Sequence, residues 1–337
     1  MRLVLNTSVR DLLYTAEACD EGKSIRHIME KELFMSSREI TRCKQFDDGV
    51  CIRRANSSLS IPAFVGKSDA DGLHPVFAGK SDSDGFSPVM IRECVFPGDV
   101  IRIRIYEDVE NEGDIAANDI PLDIVYEDED ILVVNKPGDM VVHPSYAHYT
   151  DSLAGAVKGY YIRTSQNHVV RAIGRLDRET SGLVLFAKNR YVAAILSDRQ
   201  GEMSKRKEYL ALASGYFDVM QGTIDAPIGE TPGQRMVRCV TDDGKRAVTH
   251  FAVVRQFDDF ALVRLFLETG RTHQIRVHMA HTGHPLLGDG LYGKEIADSH
   301  GITRAALHAA HIEFTHPILK KKMSFDADLP QDMKIII

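Results

Sequence analysis

The chain has 337 residues, 44% hydrophobic and 26% charged, with a formal charge of −7. That length predicts two domains, and the composition is that of a soluble globular protein. No run approaches the roughly 20 apolar residues needed to cross a bilayer, and MRLVLNTSVRDLLYTAEACD is too weakly apolar, with misplaced charges, to be a signal peptide.

Five scattered cysteines (Cys19, Cys43, Cys51, Cys94, Cys239) form no CxxC pair. Their odd number suits a reducing cytoplasm and argues against a disulfide framework or a zinc ribbon. Along the chain, Ile25, Ile28, Met29 and Leu33 have helical spacing within Ser24–Phe34. A second helix is predicted from Ser36, because Ser36-Ser37-Arg38-Glu39 has the hydroxyl and carboxylate of a capping box. Gly49–Ile52 and Val100–Tyr106 read as strands; in the latter, Ile101, Ile103 and Ile105 alternate with Arg102 and Arg104.

Between those strands lies a short repeat, GKSDADGLHPVFA from Gly66 and GKSDSDGFSPVMI from Gly79. Its Asp-x-Asp-Gly core is similar to calcium loops, but Lys67 and Lys80 occupy the first ligand position and no glutamate closes the loop. A duplicated surface hairpin near 55–88 is the better reading. Eleven acids and no Lys or Arg fall between Glu107 and Asp130; removing them from the formal charge leaves +4 on the remainder. An acidic linker over 107–120 between two mildly basic bodies is compatible with a polyanionic substrate.

Beyond it, strand-like runs (Ile131–Asn135, Gly182–Ala187, Tyr209–Tyr216, Val248–Arg255, Ala261–Leu267) alternate with helical ones, most clearly Tyr191–Asp198 and Thr272–Thr282. Many strands and few helices predict an α+β domain with a mixed, largely antiparallel sheet.

Three segments set polar residues in apolar surroundings. They are Gly174–Gly182 around Asp177, Lys205–Tyr209, and Gly270–His278 with its continuation to Asp289. A carboxylate in a tight loop flanked by arginines is placed for exposure in a cleft and for electrostatic tuning. Taken singly, a loop aspartate is usually a turn residue, a tyrosine usually packs, and a charged helix face is usually solvated. No spacing rule links the segments, so the residues alone support a cleft with an Asp, a Tyr and an Arg. His278, His281 and His284 recur every three residues, but the glutamate of an HExxH site is missing.

GRLDRETSGLVLFAK, KEYLALASG and TGRTHQIRVHMAHTGHPLLGD resemble the three signature motifs of the RluA family of pseudouridine synthases. DILVVNKPGDMVVHPS and LHAAHIEFTHP match two further family segments, so the resemblance runs in order from about Pro121 to Pro330. Gly174 stands where the family's loop usually begins with His.

The resemblance implies isomerisation of uridine in structured RNA without cofactor or metal. Asp177 would be the catalytic carboxylate, attacking the anomeric carbon or the base ring, or abstracting a sugar proton. Arg276 would pair with Asp177 and keep it ionised, and Tyr209 would stack on a uracil flipped out of its helix. Arg175 would contact RNA at the vacated position, and Leu287 would form an apolar wall. Arg271, His273 and Gln274 of the third motif would also bind substrate. By analogy the RNA would be large-subunit ribosomal RNA, with transfer RNA the other candidate.

SIRHIMEKELFMSSREITRCKQFDDGVCI with FPGDVIRIRI resembles an S-four-like RNA-binding domain. It implies a basic helical face of Arg26, Ser37, Arg38, Arg42 and Lys44 that meets phosphates. The expectation is a monomeric cytoplasmic isomerase: an α/β S-four-like domain over 1–106, a linker over 107–120, and a catalytic domain over 121–337. The rival is a noncatalytic RNA-binding or ribosome-assembly protein that keeps the fold.

Overall fold

The computed structural model describes residues 7–55, 81–108, 115–145, 148–197, 205–293 and 299–337. The chain divides into two compact units, Met1–Asn111 with Asn189–Tyr191, and Glu112–Lys188 with Val192–Ile337. No described helix is long and apolar enough to cross a membrane.

The first unit holds β1 (Thr7–Thr15), α1 (Ile25–His27), α2 (Ser37–Cys43), β2 (Val50–Arg53), β3 (Ser87–Pro88) and β4 (Val100–Asp108). Its antiparallel sheet has the order β1-β4-β2-β3. Ile101, Ile103 and Ile105 are buried, as their alternation predicts. The arginine face is covered too. Arg102 is 6% exposed, lies over the Phe86 ring and pairs with Asp82 at 2.6 Å.

After α1 the helix widens to a π turn over Ile28–Glu32, with Leu33 N–H donating to the Ile28 carbonyl at 3.0 Å. Half of the capping box forms. Ser36 Oγ accepts from Glu39 N–H at 3.2 Å, while the Glu39 carboxylate turns to Arg42. The first repeat copy lies outside the described residues. In the second, Asp82 Oδ1 accepts from the Asp84 and Phe86 amides, which makes the motif a turn. Glu107 and Asp108, read as the start of a linker, complete β4.

The second unit contains β5 (Ile124–Glu127), β6 (Ile131–Lys136), α3 (Leu153–Arg163), β7 (Arg171–Ala172), β8 (Ser181–Ala187), α4 (Arg190–Ser197, whose first two residues belong to the first unit) and β9 (Arg206–Ser214). It continues with β10 (Gln221–Asp225), β11 (Ile228–Thr231), β12 (Gln234–Val240), β13 (Val248–Gln256), β14 (Phe260–Leu267), α5 (Gln274–His281), β15 (Leu307–Thr315), β16 (Lys322–Asp326) and α6 (Gln331–Lys334).

Ten strands form one sheet with the path β10-β13-β14-β9-β15-β8-β6-β5, to which β16 and β7 add at β15 and β8; β11 and β12 make a separate ribbon. Only β8 and β15 run parallel, so the sheet is mixed and largely antiparallel, as expected. Leu132, Val134, Phe186, Ala211, Val263 and Leu265 of the sheet are buried in the main core with Ile275 of α5.

The parallel seam is short. It pairs Ser181 with His308 and Gly182 with Ala309, and the strands then part. Gly182 has φ +112, and a Cβ there would lie 2.3 Å from the Ala309 carbonyl oxygen. His308 Nδ1 lies 2.9 Å from Ser181 Oγ and its Nε2 3.2 Å from the Ala327 carbonyl. The ring therefore donates from Nε2, accepts at Nδ1 and is neutral. Burial pushes its pKa down to about 4.

Two outcomes are expected. Gly182→Ala should lose about 1–3 kcal/mol in urea unfolding through backbone strain alone, and more through the clash. The unfolded chain binds a proton at His308 below about pH 6.5, the folded chain only below about pH 4. Stability should therefore fall by about 3 kcal/mol as pH drops across that window. The fall should shrink in His308→Gln.

Candidate active site

The catalytic-motif loop joins β7 to β8 and is pinned on the residues after Asp177. Thr180 N–H donates to the Asp177 carbonyl at 3.1 Å, closing a tight turn. Gly174 enters the loop at φ +84 with open space around it, a backbone that suits glycine better than the family's histidine.

The buried Lys136 ammonium donates to the carbonyls of Pro137, Met140 and Arg178 at 2.8–3.0 Å. Burial pulls its pKa down to about 7, and the three carbonyls are the acceptors an ammonium needs to stay charged there. Arg304 Nη1 donates to the Glu179 carbonyl at 2.9 Å and is itself held by Asp332 of α6 at 2.7 and 3.0 Å. Glu179 Oε2 accepts from Ala305 N–H at 2.9 Å and forms an ion pair with Arg276 Nη2 at 3.1 Å.

Arg276 differs from expectation. Its guanidinium is 2% exposed and grips Asp289 in a fork, Nε to Oδ2 at 2.7 Å and Nη2 to Oδ1 at 2.6 Å. Its ion pairs are with Asp289 and Glu179, in place of the expected pair with Asp177. Burial alone would lower the Arg276 pKa; the Asp289 hydrogen bonds and the charges of Asp289, Glu179 and Asp177 outweigh it and raise it. Asp177 thus acts on Arg276 across a distance, and its own carboxylate makes no hydrogen bond or ion pair among the described residues.

Asp177, Arg175, Lys207, Tyr209, Arg271 and Gln274 line one cavity of about 520 Å³. Tyr209 projects from β9, and burial, then the charge of Asp177, raise its pKa and keep the phenol protonated. Arg175 is exposed at the mouth and donates to Thr272 Oγ1 at 2.5 Å. Burial lowers the pKa of His143, also in the cavity wall. A second cavity, about 320 Å³ around Lys136, Ser181 and His308, contains none of the expected site residues.

Residues 130–281 match the model of the RNA pseudouridylate synthase family. The chain is 45% identical over 240 residues to the RNA pseudouridine synthase YjbO of Bacillus subtilis, covering 71% of this chain and 83% of that protein. The chain belongs to the RluA family of RNA pseudouridine synthases. It is also 38% identical over 257 residues to ribosomal large subunit pseudouridine synthase D of Escherichia coli K12, covering 73% of this chain and 78% of that one. Among solved structures, the human RNA pseudouridylate synthase domain containing 1 superposes with a TM-score of 0.51 at 29% identity, over 63% of this chain and 85% of that one.

Within this pseudouridine synthase, other expected residues sort by their contacts. Leu287 is not a cavity wall. Its amide donates to the Leu212 carbonyl and its side chain packs with Leu212, Phe260 and Ile302, on the face of β9 opposite Tyr209. Gln274 uses both ends of its buried amide inside the protein: Nε2 donates to Val248 O and Thr249 Oγ1, and Oε1 accepts from Thr269 Oγ1 and Arg271 N–H. It positions the Thr269–Arg271 loop. His273 caps α5 at φ 58 and meets the Tyr292 hydroxyl at 2.9 Å, which also accepts from Arg238 N–H. Arg271 Nε donates to the Arg246 carbonyl.

Two of the three spaced histidines are structural, while His281 is exposed. His278 is buried between Thr249 Oγ1 and the Ala226 carbonyl, and His284 stacks on Phe217. In the cluster of Asp128, Asp130 and His316, Asp128 already accepts from the Asp130 and Ile131 amides and from the Tyr126 hydroxyl. His316 Nδ1 accepts from the Ile318 and Leu319 amides, which leaves Nε2–H facing Asp128 at 3.2 Å.

Sequence reasoning missed Lys136, Glu179, Asp289 and Arg304, all buried or half-buried charges. The available signal was a charge inside an apolar run, as at Lys136 after Ile131–Val134. Asp289→Ala should cost about 3–5 kcal/mol in urea unfolding, because a buried guanidinium loses its fork partner. Glu230→Ala, which breaks the exposed pair with Arg238, should cost under about 1 kcal/mol.

Proposed function

We propose that this RNA pseudouridine synthase converts uridines of large-subunit ribosomal RNA, with Asp177 as the catalytic carboxylate acting on a flipped-out nucleotide. The observation that carries the catalytic assignment is the pairing state of Asp177. It is the cavity's carboxylate without a protein partner, on a loop whose next two residues are clamped from three directions.

Isomerisation breaks the N1–C1′ bond, turns the uracil, forms C5–C1′, releases the C5 proton and protonates N1. Atoms balance with no oxidant or energy source. Asp177 can serve by attack on C1′ or on the ring, or by taking a sugar proton, and each route needs an unpaired carboxylate beside the sugar. Tyr209 offers a protonated aromatic floor for the base, and extrusion from a helix costs a few kcal/mol. Arg175, exposed at the mouth, is suited to the position the base vacates.

The ribosomal assignment is supported by relatives named for the large subunit. The N-terminal unit supports an RNA-binding role through Arg26, Ser37, Arg38, Arg42 and Lys44. Arg26 pairs with Glu30 at the surface, a contact weak enough to yield to phosphate, while Arg42 pairs with the buried Glu39 at 2.9 Å.

The test is tritium release from unmodified ribosomal and transfer RNA labelled at C5 of uridine. Wild type should release tritium faster from ribosomal RNA, and Asp177→Asn should lower release by at least about 10³-fold while still binding. Binding without release from either RNA would favour the noncatalytic RNA-binding reading.

A further inference from the structure

The basic run Lys205–Tyr209 contributes more to the cavity than its tyrosine. Strand β9 alternates, so Lys207 points to the same face as Tyr209, about 6.6 Å along the strand. Both line the cavity with Asp177. The intervening Glu208 pairs with Arg264 at 2.7 Å.

Lys207 has no such partner. Among the described residues no carboxylate lies within ion-pair distance, and its ammonium meets one acceptor, the Leu183 carbonyl, at 3.5 Å. Leu183 lies where β8 leaves β15, so Lys207 reaches the fork of the seam. Burial, followed by the charge of Lys205, pushes its pKa down to about 8. The fold therefore holds a compact, strongly hydrated charge in a cavity wall without compensating it, and an anionic oxygen would supply that compensation.

A nucleotide with its base on Tyr209 places its phosphate one sugar away, comparable to the two-residue step along β9. Resting on the catalytic reading above, we propose that Lys207 binds the phosphodiester flanking the flipped uridine. A uracil carbonyl is the competing acceptor, and salt dependence separates the two, because a contact to a neutral carbonyl releases no counterion.

The test compares wild type, Lys207→Met, Lys207→Gln and Lys207→Arg on an unmodified large-subunit ribosomal RNA transcript, by filter binding across a salt series and by single-turnover tritium release. Loss of one phosphate contact should raise Kd about tenfold at low salt for Met and Gln. It should also flatten the slope of log Kd against log salt by about 0.7–0.9. Arginine should restore both, and release at saturating RNA should stay within about threefold of wild type. A merely structural lysine would not move the salt slope.

Slower release with Kd and slope unchanged would overturn the proposal in favour of a base contact. An unchanged enzyme by every readout would overturn it as well. If wild type released no tritium while the slope still changed, the catalytic reading would fail and the phosphate contact would stand.

Discussion

One buried guanidinium shared between two carboxylates organises this site. Arg276 projects from α5, Asp289 lies in the turn that follows, and Glu179 belongs to the catalytic-motif loop. Buried pairs of this kind are weak evidence for stability, since desolvation consumes most of the Coulomb gain. Their value here is positional. Glu179 is tied at its carboxylate by Arg276 and Ala305 and at its carbonyl by Arg304, while Lys136 holds the preceding carbonyl. Asp177 sits one residue before that clamp. Its backbone is set by groups from β6, α5, the approach to β15 and, through Asp332, α6.

Such a clamp provides preorganisation. Catalytic groups misplaced by an ångström lose orders of magnitude in rate, and polar groups fixed before substrate arrives need no reorganisation during the reaction. The arrangement also explains why the partner of Arg276 is not Asp177. A carboxylate forked by a guanidinium would have its lone pairs occupied, whereas one attracted from farther away keeps its oxygens available.

Five strands of the catalytic unit (β6, β8, β9, β13 and β14) and its two clearest helices were legible because their patterns match their burial. Ile131–Val134 and Leu183–Ala187 are continuous apolar runs on strands with neighbours on both sides. Helix α3 was not, because Leu153–Val157 are all buried, including Ala154, Gly155 and Ala156, while Ile162 is exposed, so its apolar residues trace no single face. The ribbon β11–β12 stands outside the main sheet and lacks a strong alternation.

In the site, motif residues were legible by resemblance. Their partners were not, because Arg276 to Asp289 and Lys136 to Arg178 are contacts made by folding, with no spacing rule in the chain. Leu287 was misread for a related reason. Its motif neighbours reach the cavity, but the chain reverses over the Leu286–Asp289 turn and sends it to the other face of β9.

The distribution of ionisable groups divides labour inside the cavity. Arg276 and Lys136 spend their donors on the protein, so a polyanion would meet the cations of the lining, Arg175, Lys205, Lys207 and Arg271. Tyr209 and Asp177 are opposed in what they can do with a proton. Burial and the neighbouring carboxylate both disfavour a phenolate, so Tyr209 cannot serve as a base near neutrality, although its hydroxyl can donate. In the proposed reaction, proton acceptance or nucleophilic attack is assigned to Asp177, not to Tyr209. The charge of that carboxylate also helps keep its aromatic neighbour neutral and suited to hold a base.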